Sequence, residues 1–344
     1  MADETRRGGW RCAPLALLAA TACLVGCGGA RSSETRHLVY EQALATDGFV
    51  SDTAADGWIW RAELDGSHAT RLVRGSSPVL SPDGLWIAYV RAQTAELWLM
   101  KSDGSGATRL RNQPREYVAK ITWSPDSTRL AVVDSNGGMR IVGRDGSSRR
   151  VIRHGAWQGF DIGGVSFSPS GDRIAFAGMD TAGEDVYVVD VLGTRLQRLT
   201  RDHRSTAPLW GPESIAYARS RHARDGIWVM RPDGSGKRRL TGPEFFTYPA
   251  AWSADGRRLL AAAPPTHNGR LWAIDVATGR ARALTDWVGD LSAQGLSRDG
   301  RTVLAAIGCG GIPGDRTGIL ETIAFDGGEG TIVAEGPCRG SWNA

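Results

Sequence analysis

The chain has 344 residues, of which 41% are hydrophobic and 23% are charged, a balance that is ordinary for a soluble globular protein. The formal net charge is only +4 and there is no long basic run, so the sequence offers no electrostatic support for nucleic-acid binding. Abundant glycine (45 residues) and scattered tryptophan (13 residues) favour many short strands joined by tight turns.

The N-terminal segment 1–26 has the organisation of an export signal. Basic residues precede an apolar stretch, 13–25, that is too short to span a bilayer as a helix. The stretch ends in Leu-Val-Gly immediately before Cys27, which resembles a bacterial lipobox and implies that Cys27 is lipidated. Residues 27–36 are mostly small and polar and predict a flexible tether. A plain secretory signal is the alternative, and a pair of adjacent arginines leaves the twin-arginine export route open.

The distribution of the five cysteines agrees with export. Cys12 and Cys23 lie within the signal, and Cys27 is the predicted lipidation site. Cys309 and Cys338 remain, and an even pair in an oxidising compartment is a disulfide candidate. The alternative is two unrelated buried thiols.

A first turn of the type Ser-Pro-Asp-Gly recurs along the chain with nearly constant spacing. The successive steps between its Asp positions are 43, 44, 43, 42 and 44 residues. A repeat of this length that is made of strands is typical of propeller blades. In chain order the Asp position is occupied by Asp83, Asp126, Ser170, Glu213, Asp255 and Asp299.

Every copy of the repeat has the same anatomy. A short apolar run such as ITW or AAW precedes the first turn, in which Pro presets φ, Asp bonds its own backbone and Gly accepts positive φ. An apolar strand, a variable loop and a strand such as ELWLM follow, and then a second turn, usually Asp-Gly, leads into an R-x-L-T strand. Four short strands joined in this way predict one antiparallel blade.

The second turn occurs seven times, once more than the first. The first unit has three strands and lacks an innermost one, which the C-terminal segment 339–344 could supply. We therefore predict a seven-bladed all-β propeller over 37–344, closed by strand exchange between the two ends of the chain, with a six-bladed ring as the alternative. The second turns are Asp65-Gly66, Asp103-Gly104, Asp145-Gly146, Leu192-Gly193, Asp233-Gly234, Thr278-Gly279 and Asp326-Gly327.

The repeat resembles the TolB-type repeat, also called PD40 or WD40-like. The phrases that carry the resemblance are WSPDSTRLAVV (123–133), FSPSGDRIAFA (167–177) and GIWVMRPDGSGKRRLT (226–241). The resemblance covers nearly all of the chain after the export signal and implies the propeller fold. Similar propellers serve in envelope complexes, as gating domains of prolyl-oligopeptidase-like enzymes and, rarely, as metal-dependent lyases. The small N-terminal domain of TolB itself has no counterpart in 27–36, so the resemblance does not imply the same partner.

No catalytic motif stands out. The strings nearest to a Gly-x-Ser-x-Gly elbow, GVSFS at 164 and GLSRDG at 295, fall on blade turns and do not fit it. A Walker loop, a His-Glu-x-x-His motif and a cysteine pair at zinc spacing are missing. We therefore predict a protein without enzymatic activity or cofactor, with a metal-dependent polysaccharide lyase or hydrolase as the alternative.

Four histidines are candidate metal ligands, because imidazole is a good ligand for transition metals. Loops between blades and loops between second and third strands share one face of a propeller, and all four histidines fall in such loops. We predict no metal site, since loops around a ring can lie far apart. The histidines are His154, His203, His222 and His267. The repeated aspartates of the first turn are predicted to cap turns rather than to bind calcium.

Aromatic residues in or beside the loops between blades are candidates for partner binding, because such side chains supply contact area at protein interfaces. The long loops 43–57 and 308–318 open on the same face. The candidates are Tyr117, Trp157, Phe160, Phe245, Phe246, Tyr248 and Trp287. The tryptophans of the third strands are predicted instead to pack between blades; these are Trp58, Trp60, Trp98, Trp228 and Trp272.

Together these patterns predict an exported propeller that is anchored by its N-terminal lipid to the outer side of the cell membrane, or is periplasmic. We expect a monomer that binds an envelope protein, a peptide or a glycan through its loop-rich face. A structural or assembly role in the cell envelope is a further alternative.

Overall fold

The computed structural model shows a chain built of β-strands. Contacts divide the chain into two compact units, and every described residue belongs to the second, Thr35–Ala344. The described part of the chain contains no helix that is long and apolar enough to cross a membrane. The described residues are 37–42, 57–91, 96–110, 118–134, 137–153, 164–219, 226–242, 247–262, 270–285, 291–296, 301–307, 319–325, 330–335 and 337–342.

The strands form seven antiparallel sheets of four strands each, which are the blades. Blade 1 contains, from the innermost strand outward, β28 (Pro337–Trp342), β1 (His37–Gln42), β2 (Trp58–Glu63) and β3 (Thr70–Arg74). Blade 2 contains β4 (Ser76–Leu80), β5 (Trp86–Arg91), β6 (Glu96–Lys101) and β7 (Thr108–Arg109). Blade 3 contains β8 (Val118–Trp123), β9 (Arg129–Asp134), β10 (Met139–Gly143) and β11 (Ser148–Ile152).

The remaining blades repeat this order. Blade 4 contains β12 (Val165–Phe167), β13 (Arg173–Asp180), β14 (Gly183–Asp190) and β15 (Leu196–Arg198), and blade 5 contains β16 (Ser205–Trp210), β17 (Ile215–Arg219), β18 (Ile227–Met230) and β19 (Arg238–Arg239). Blade 6 contains β20 (Tyr248–Trp252), β21 (Arg258–Ala262), β22 (Leu271–Asp275) and β23 (Ala281–Ala283). Blade 7 contains β24 (Leu291–Leu296), β25 (Thr302–Ile307), β26 (Ile319–Ala324) and β27 (Thr331–Glu335).

The ring closes by strand exchange, as predicted. The C-terminal strand β28 pairs with β1, with Leu38 opposite Trp342 and Tyr40 opposite Gly340. It thereby supplies the innermost strand that the first unit lacks. The ring therefore has seven blades, and the six-bladed alternative is wrong.

The first turns are held by the side chains that the sequence repeats. In blade 3, Asp126 Oδ1 accepts hydrogen bonds from Ser124 Oγ at 2.5 Å and from the backbone N–H of Thr128 at 3.1 Å. The equivalent bonds recur at Asp83 and Asp255. The predicted turn-capping role of these aspartates is confirmed, while Asp299 lies outside the described residues.

The second turns need glycine for two reasons. Each described glycine of this set has a positive φ, such as 72° at Gly279 and 76° at Gly193, which favours glycine strongly. In addition, a Cβ on Gly279 would lie 2.5 Å from the carbonyl oxygen of Leu240, and one on Gly193 would lie 3.0 Å from that of Val151. The second turn of these blades is therefore pressed against the outer strand of the preceding blade.

The R-x-L-T motif organises the outer strand. The hydroxyls of Thr200 and Thr241 accept hydrogen bonds of 2.9 Å from the backbone N–H groups of Val186 and Ile227. The leucine of the motif is buried, as at Leu199. The motif therefore fastens the outermost strand to the third strand of the same blade.

Hydrophobic side chains fill the spaces between neighbouring blades. Trp60 packs on a cluster that joins blades 1 and 7, and Trp98 on one that joins blades 1 and 2. Trp228 and Trp272 pack likewise between later blades. The prediction of packing between blades is thus confirmed for these four tryptophans. Trp58 differs, because its ring is covered by the guanidinium groups of its own blade, with the Cζ of Arg71 at 4.3 Å.

Candidate functional site

The two ends of the ring differ in their connections. The first and second turns of one blade lie at the same end and bond to each other, as in the 2.9 Å hydrogen bond from Ser102 N–H to the Leu85 carbonyl. We call this the turn end. The opposite end, which we call the loop end, carries the connections between second and third strands and those between blades. The described strands that flank 43–57, 153–164 and 308–318 in the chain end there.

The best described part of the loop end lies where blade 4 meets blade 5. The turn between β13 and β14 and the connection between β15 and β16 come together there, and Glu184 forms an isolated β-bridge with Arg204. Asp202 Oδ1 accepts a 2.8 Å hydrogen bond from Ser205 Oγ, and its Oδ2 lies 2.8 Å from Arg219 Nε. These contacts confirm that both kinds of connection share one end of the ring.

Asp185 is the centre of this region, and only 1% of its side chain is exposed. Its Oδ1 accepts hydrogen bonds from Thr200 Oγ1 at 2.7 Å and from the backbone N–H groups of Asp202 at 3.1 Å and His203 at 3.2 Å. Its Oδ2 is bound by the Arg198 guanidinium, which raises the pKa of Arg198. Because both oxygens are occupied, Asp185 holds the loop in shape and is not available as a base.

His203 lies above this carboxylate with a φ of 55°, a conformation that is uncommon outside glycine. Its Nδ1 is 3.4 Å from Asp185 Oδ2 and 3.6 Å from Asp180 Oδ1. The backbone N–H of Ala182, together with that of Gly183, lowers the pKa of Asp180. The side chains of His203 and Asp180 are 38% and 40% exposed, so they present a donor and acceptor pair to a ligand at the loop end.

Of the four candidate metal-ligating histidines, His203 is the one that lies within the described residues. Among the residues that the structure describes, no group of three or more His, Cys, Asp or Glu side chains is placed to hold a metal ion. The three other candidate histidines lie outside the described residues, and the absence of a metal site stays a prediction. These histidines are His154, His222 and His267.

Most candidate aromatic residues also lie outside the described part of the chain. Tyr248 is the exception, and the structure places it as the half-buried first residue of the inner strand β20, opposite Ala262. The others are Tyr117, Trp157, Phe160, Phe245, Phe246 and Trp287. Cys27 and Cys309 are outside the described residues as well, and Cys338 lies in β28, so lipidation and the disulfide remain predictions.

Sequence reasoning did not identify Asp185 or its partners. A signal was present, because Asp185 directly precedes the apolar run 186–189 of the third strand of blade 4, at the position that Gly226 occupies in blade 5. The hydroxyl of the R-x-L-T threonine and the charged segment 201–204 follow within the same blade. Only the register of β14 and β15 shows that these groups meet.

A separate cavity of about 560 Å³ opens at the turn end between the first turns of blades 2, 3 and 4. Its walls include Pro82, Trp123, Pro125, Ser127 and Phe167. Ser127 takes the place of the turn glycine with a φ of 58°, and its hydroxyl accepts a 3.0 Å hydrogen bond from the Asp83 N–H. Polar groups that bound this cavity, such as the Ser127 hydroxyl, already form hydrogen bonds that hold the first turns. The loop end differs in this respect.

A family model described as the TolB beta propeller domain, PD40, matches residues 87–329, which is more than half of the chain. A search of curated proteins finds no match.

Solved structures with a similar fold have diverse functions. TolB from Acinetobacter baumannii has a TM-score of 0.53 and 15% identity, over 89% of this chain and 82% of that one. An oligogalacturonate lyase from Vibrio parahaemolyticus has a TM-score of 0.62 and 12% identity, over 86% of each chain. A puromycin-hydrolysing peptidase from Mycobacterium tuberculosis has a TM-score of 0.62 and 17% identity, over 87% of this chain but 53% of the peptidase. At these identities the likeness concerns the fold alone.

Proposed function

The chain belongs to the PD40 family of TolB beta-propeller domains, and we propose that it is a non-catalytic protein that binds a partner through the loop end of its ring. The partner is an envelope protein, a peptide or a glycan. The protein acts as a monomer outside the cytoplasmic membrane, without a cofactor and without nucleic acid.

The observation that carries this proposal is the difference between the two ends. At the turn end, short turns are closed by their own side chains, as Asp126 and Asp255 illustrate. At the loop end, long connections start from rigid strands, an arrangement in which proteins commonly place binding residues. The exposed pair of His203 and Asp180 shows the kind of polar contact that this end offers.

We expect aromatic residues of the same connections, which lie outside the described residues, to supply the apolar part of the surface. Trp157 and Phe160 fall between blades 3 and 4, and Phe245 and Phe246 fall between blades 5 and 6. A binding surface of this composition combines aromatic contact area with a few oriented polar groups. Such a surface fits a folded partner or a glycan better than a reacting small molecule.

The proposed location rests on the predicted lipid on Cys27. The first strand starts at the turn end, because His37 pairs with Glu63 directly before the second turn of blade 1. The described chain therefore begins at the turn end, and we propose that a lipid anchor upstream of His37 leaves the loop end accessible to a partner. We expect Cys27→Ala to move the protein from the membrane fraction to the soluble extract; retention in the membrane fraction would contradict the lipid anchor.

The binding proposal is tested by loop replacement. We expect that replacing 43–57 or 308–318 by a short Gly-Ser linker abolishes co-purification of the partner from detergent-solubilised envelopes. The matched control is a turn-end variant, Lys101→Ser with Arg231→Ser, which should capture the partner as the wild type does. Melting curves distinguish loss of binding from loss of folding. Equal capture by the loop variants and the wild type would contradict the proposal.

A metal-dependent lyase or hydrolase is the second candidate, because His203 lies exposed at the loop end beside Asp180. This candidate predicts that Mn²⁺ raises the melting temperature of the full-length protein and that His203→Ala reduces the rise. The binding proposal predicts no change with Mn²⁺ in either protein. Thermal melts with and without the metal separate the two candidates.

A further inference from the structure

One cross-strand position carries an aromatic column in four blades. In each of these blades, an aromatic residue of the second strand lies opposite an aromatic residue of the third strand. On its other side, the third-strand residue lies opposite an arginine of the outer strand. The rings of Phe176 and Tyr187 stack with centroids 5.7 Å apart, and the Cζ of Arg198 is 5.8 Å from the Tyr187 ring. The columns are Tyr40–Trp60–Arg71, Tyr89–Trp98–Arg109, Phe176–Tyr187–Arg198 and Tyr217–Trp228–Arg239.

Blade 3 has no aromatic residue at the equivalent positions, and two of the residues there carry like charges. Its column is Val132–Arg140–Arg150, so two guanidinium groups lie on directly opposite residues of β10 and β11. Like charges at such positions repel. Arg140 Nε is buried and has no hydrogen-bond partner, and the contact of Arg140 Nη1 with Ser148 Oγ is long, at 3.4 Å. A buried donor without a partner carries a cost that an aromatic residue at this position would avoid.

The surroundings of this pair are strongly basic. The segment 139–153 contains five arginines and one aspartate, a net charge of +4 that equals the formal net charge of the whole chain. Arg149, Arg150 and Arg153 are exposed, and within the described part of the chain none of their side chains forms a hydrogen bond or an ion pair. The hairpin thus carries a marked excess of positive charge, with Asp145 as its one acidic residue.

We propose that the outer hairpin of blade 3 binds an acidic polysaccharide. A carboxylate or phosphate group of the polymer inserts between Arg140 and Arg150, accepts the bond that Arg140 Nε lacks and removes the repulsion between the two cations. Guanidinium groups bind such anions through paired hydrogen bonds. Arg153, three residues after Arg150, contacts a further charge of the polymer, roughly 10 Å along the strand at 3.3 Å per residue.

Two features favour a polysaccharide over other polyanions. Arg140 is recessed at a half-buried position, which a substituent on a narrow chain reaches and a flat layer of lipid headgroups does not. Within the hairpin 139–153 the exposed residues are serine, arginine and one aspartate, and none is a large apolar side chain that would contact apolar residues of a peptide. A hydrated polymer with repeated charges matches this surface.

The test uses alginate as the acidic probe and the full-length protein in detergent, with binding measured by calorimetry. The wild type is expected to bind alginate, and more weakly as salt rises. Arg150→Gln with Arg153→Gln should raise the Kd by about tenfold or more. The matched control is Arg238→Gln with Arg239→Gln, the adjacent arginine pair on β19. These arginines bond the carbonyl oxygens of Val276 and Thr241, so we expect an unchanged Kd.

A second variant restores the column. Arg140→Tyr recreates the residue that blade 4 has at Tyr187, and should raise the melting temperature while it weakens alginate binding. Neutral dextran should not bind. The proposal is overturned if alginate does not bind, if the control pair loses as much affinity as the test pair, or if only anionic vesicles or polyglutamate bind. Co-purification through the loop end is expected to survive in these variants, so the two proposals fail independently.

Discussion

Gly146 and Gly279 occupy the same second-turn position in different blades and show what a single residue contributes. Both have a positive φ, 83° and 72°. A Cβ on Gly146 would meet nothing within 4 Å, whereas one on Gly279 would lie 2.5 Å from the Leu240 carbonyl oxygen. The two glycines thus share the backbone conformation, but of the two only Gly279 approaches the preceding blade closely.

We expect Gly146→Ala to lower the free energy of unfolding by about 1–2 kcal/mol, the cost of a left-handed conformation. Gly279→Ala should cost about 2–5 kcal/mol, because the outer strand of blade 5 must also shift. Urea denaturation of the two variants measures the difference. Equal losses would contradict the role given to packing between blades.

At the scale of the element, the Asp-Gly second turn stabilises the charged form of its aspartate through hydrogen bonds. Side-chain hydrogen bonds from the serine two positions later are the main cause that lowers the pKa of Asp103, Asp145 and Asp233. A carboxyl with a lower pKa in the folded state stabilises the fold above its unfolded pKa of about 4. That contribution is lost as the pH falls through the folded value.

We therefore expect stability to fall as the pH is lowered below about 5 and through the folded pKa values, which lie below the ordinary value for aspartate. A triple variant with asparagine at Asp103, Asp145 and Asp233 keeps the turn geometry, because asparagine also bonds its own backbone in turns. It should be less stable than the wild type at pH 7 and lose less stability on acidification. Urea denaturation at pH 7 and pH 3 checks both statements. The same pH dependence of stability in the two proteins would contradict the stabilising role of the turn carboxylates.

At the scale of the whole molecule, one short strand decides whether the ring closes. β28 covers β1, whose residues Leu38 and Val39 are fully buried. Without β28, blade 1 has three strands and the inner edge of β1 is exposed. Closure therefore ties the two ends of the chain into one cooperative structure.

A truncation that removes 337–344 should lose a large part of the roughly 5–15 kcal/mol that is typical of a folded domain, and its melting transition should broaden. The control truncation removes 343–344 only and leaves β28 intact, so it should melt as the wild type does. Calorimetry of the two proteins compares them. A sharp transition at the wild-type temperature after removal of 337–344 would contradict strand exchange.

The blade count and the chemistry of the turns could be predicted from the sequence. Ser124, Asp126 and Gly146 act through bonds and backbone angles within a few residues, and such local signals repeat with the blades. The lack of an inner strand in the first unit likewise pointed to the C-terminal segment. For the candidate site, the sequence indicated the loop end and His203, but not the carboxylate beneath it.

The tertiary structure alone decided which residues meet across strands and blades. Asp185 joins His203, Arg140 lies opposite Arg150, and Gly279 presses against Leu240 because strand register and blade packing bring them together. These contacts depend on the alignment of whole strands, which no local pattern encodes. The sequence by itself therefore determined the repeating unit and its number, and the closed ring determined where buried charge and unpaired cations lie.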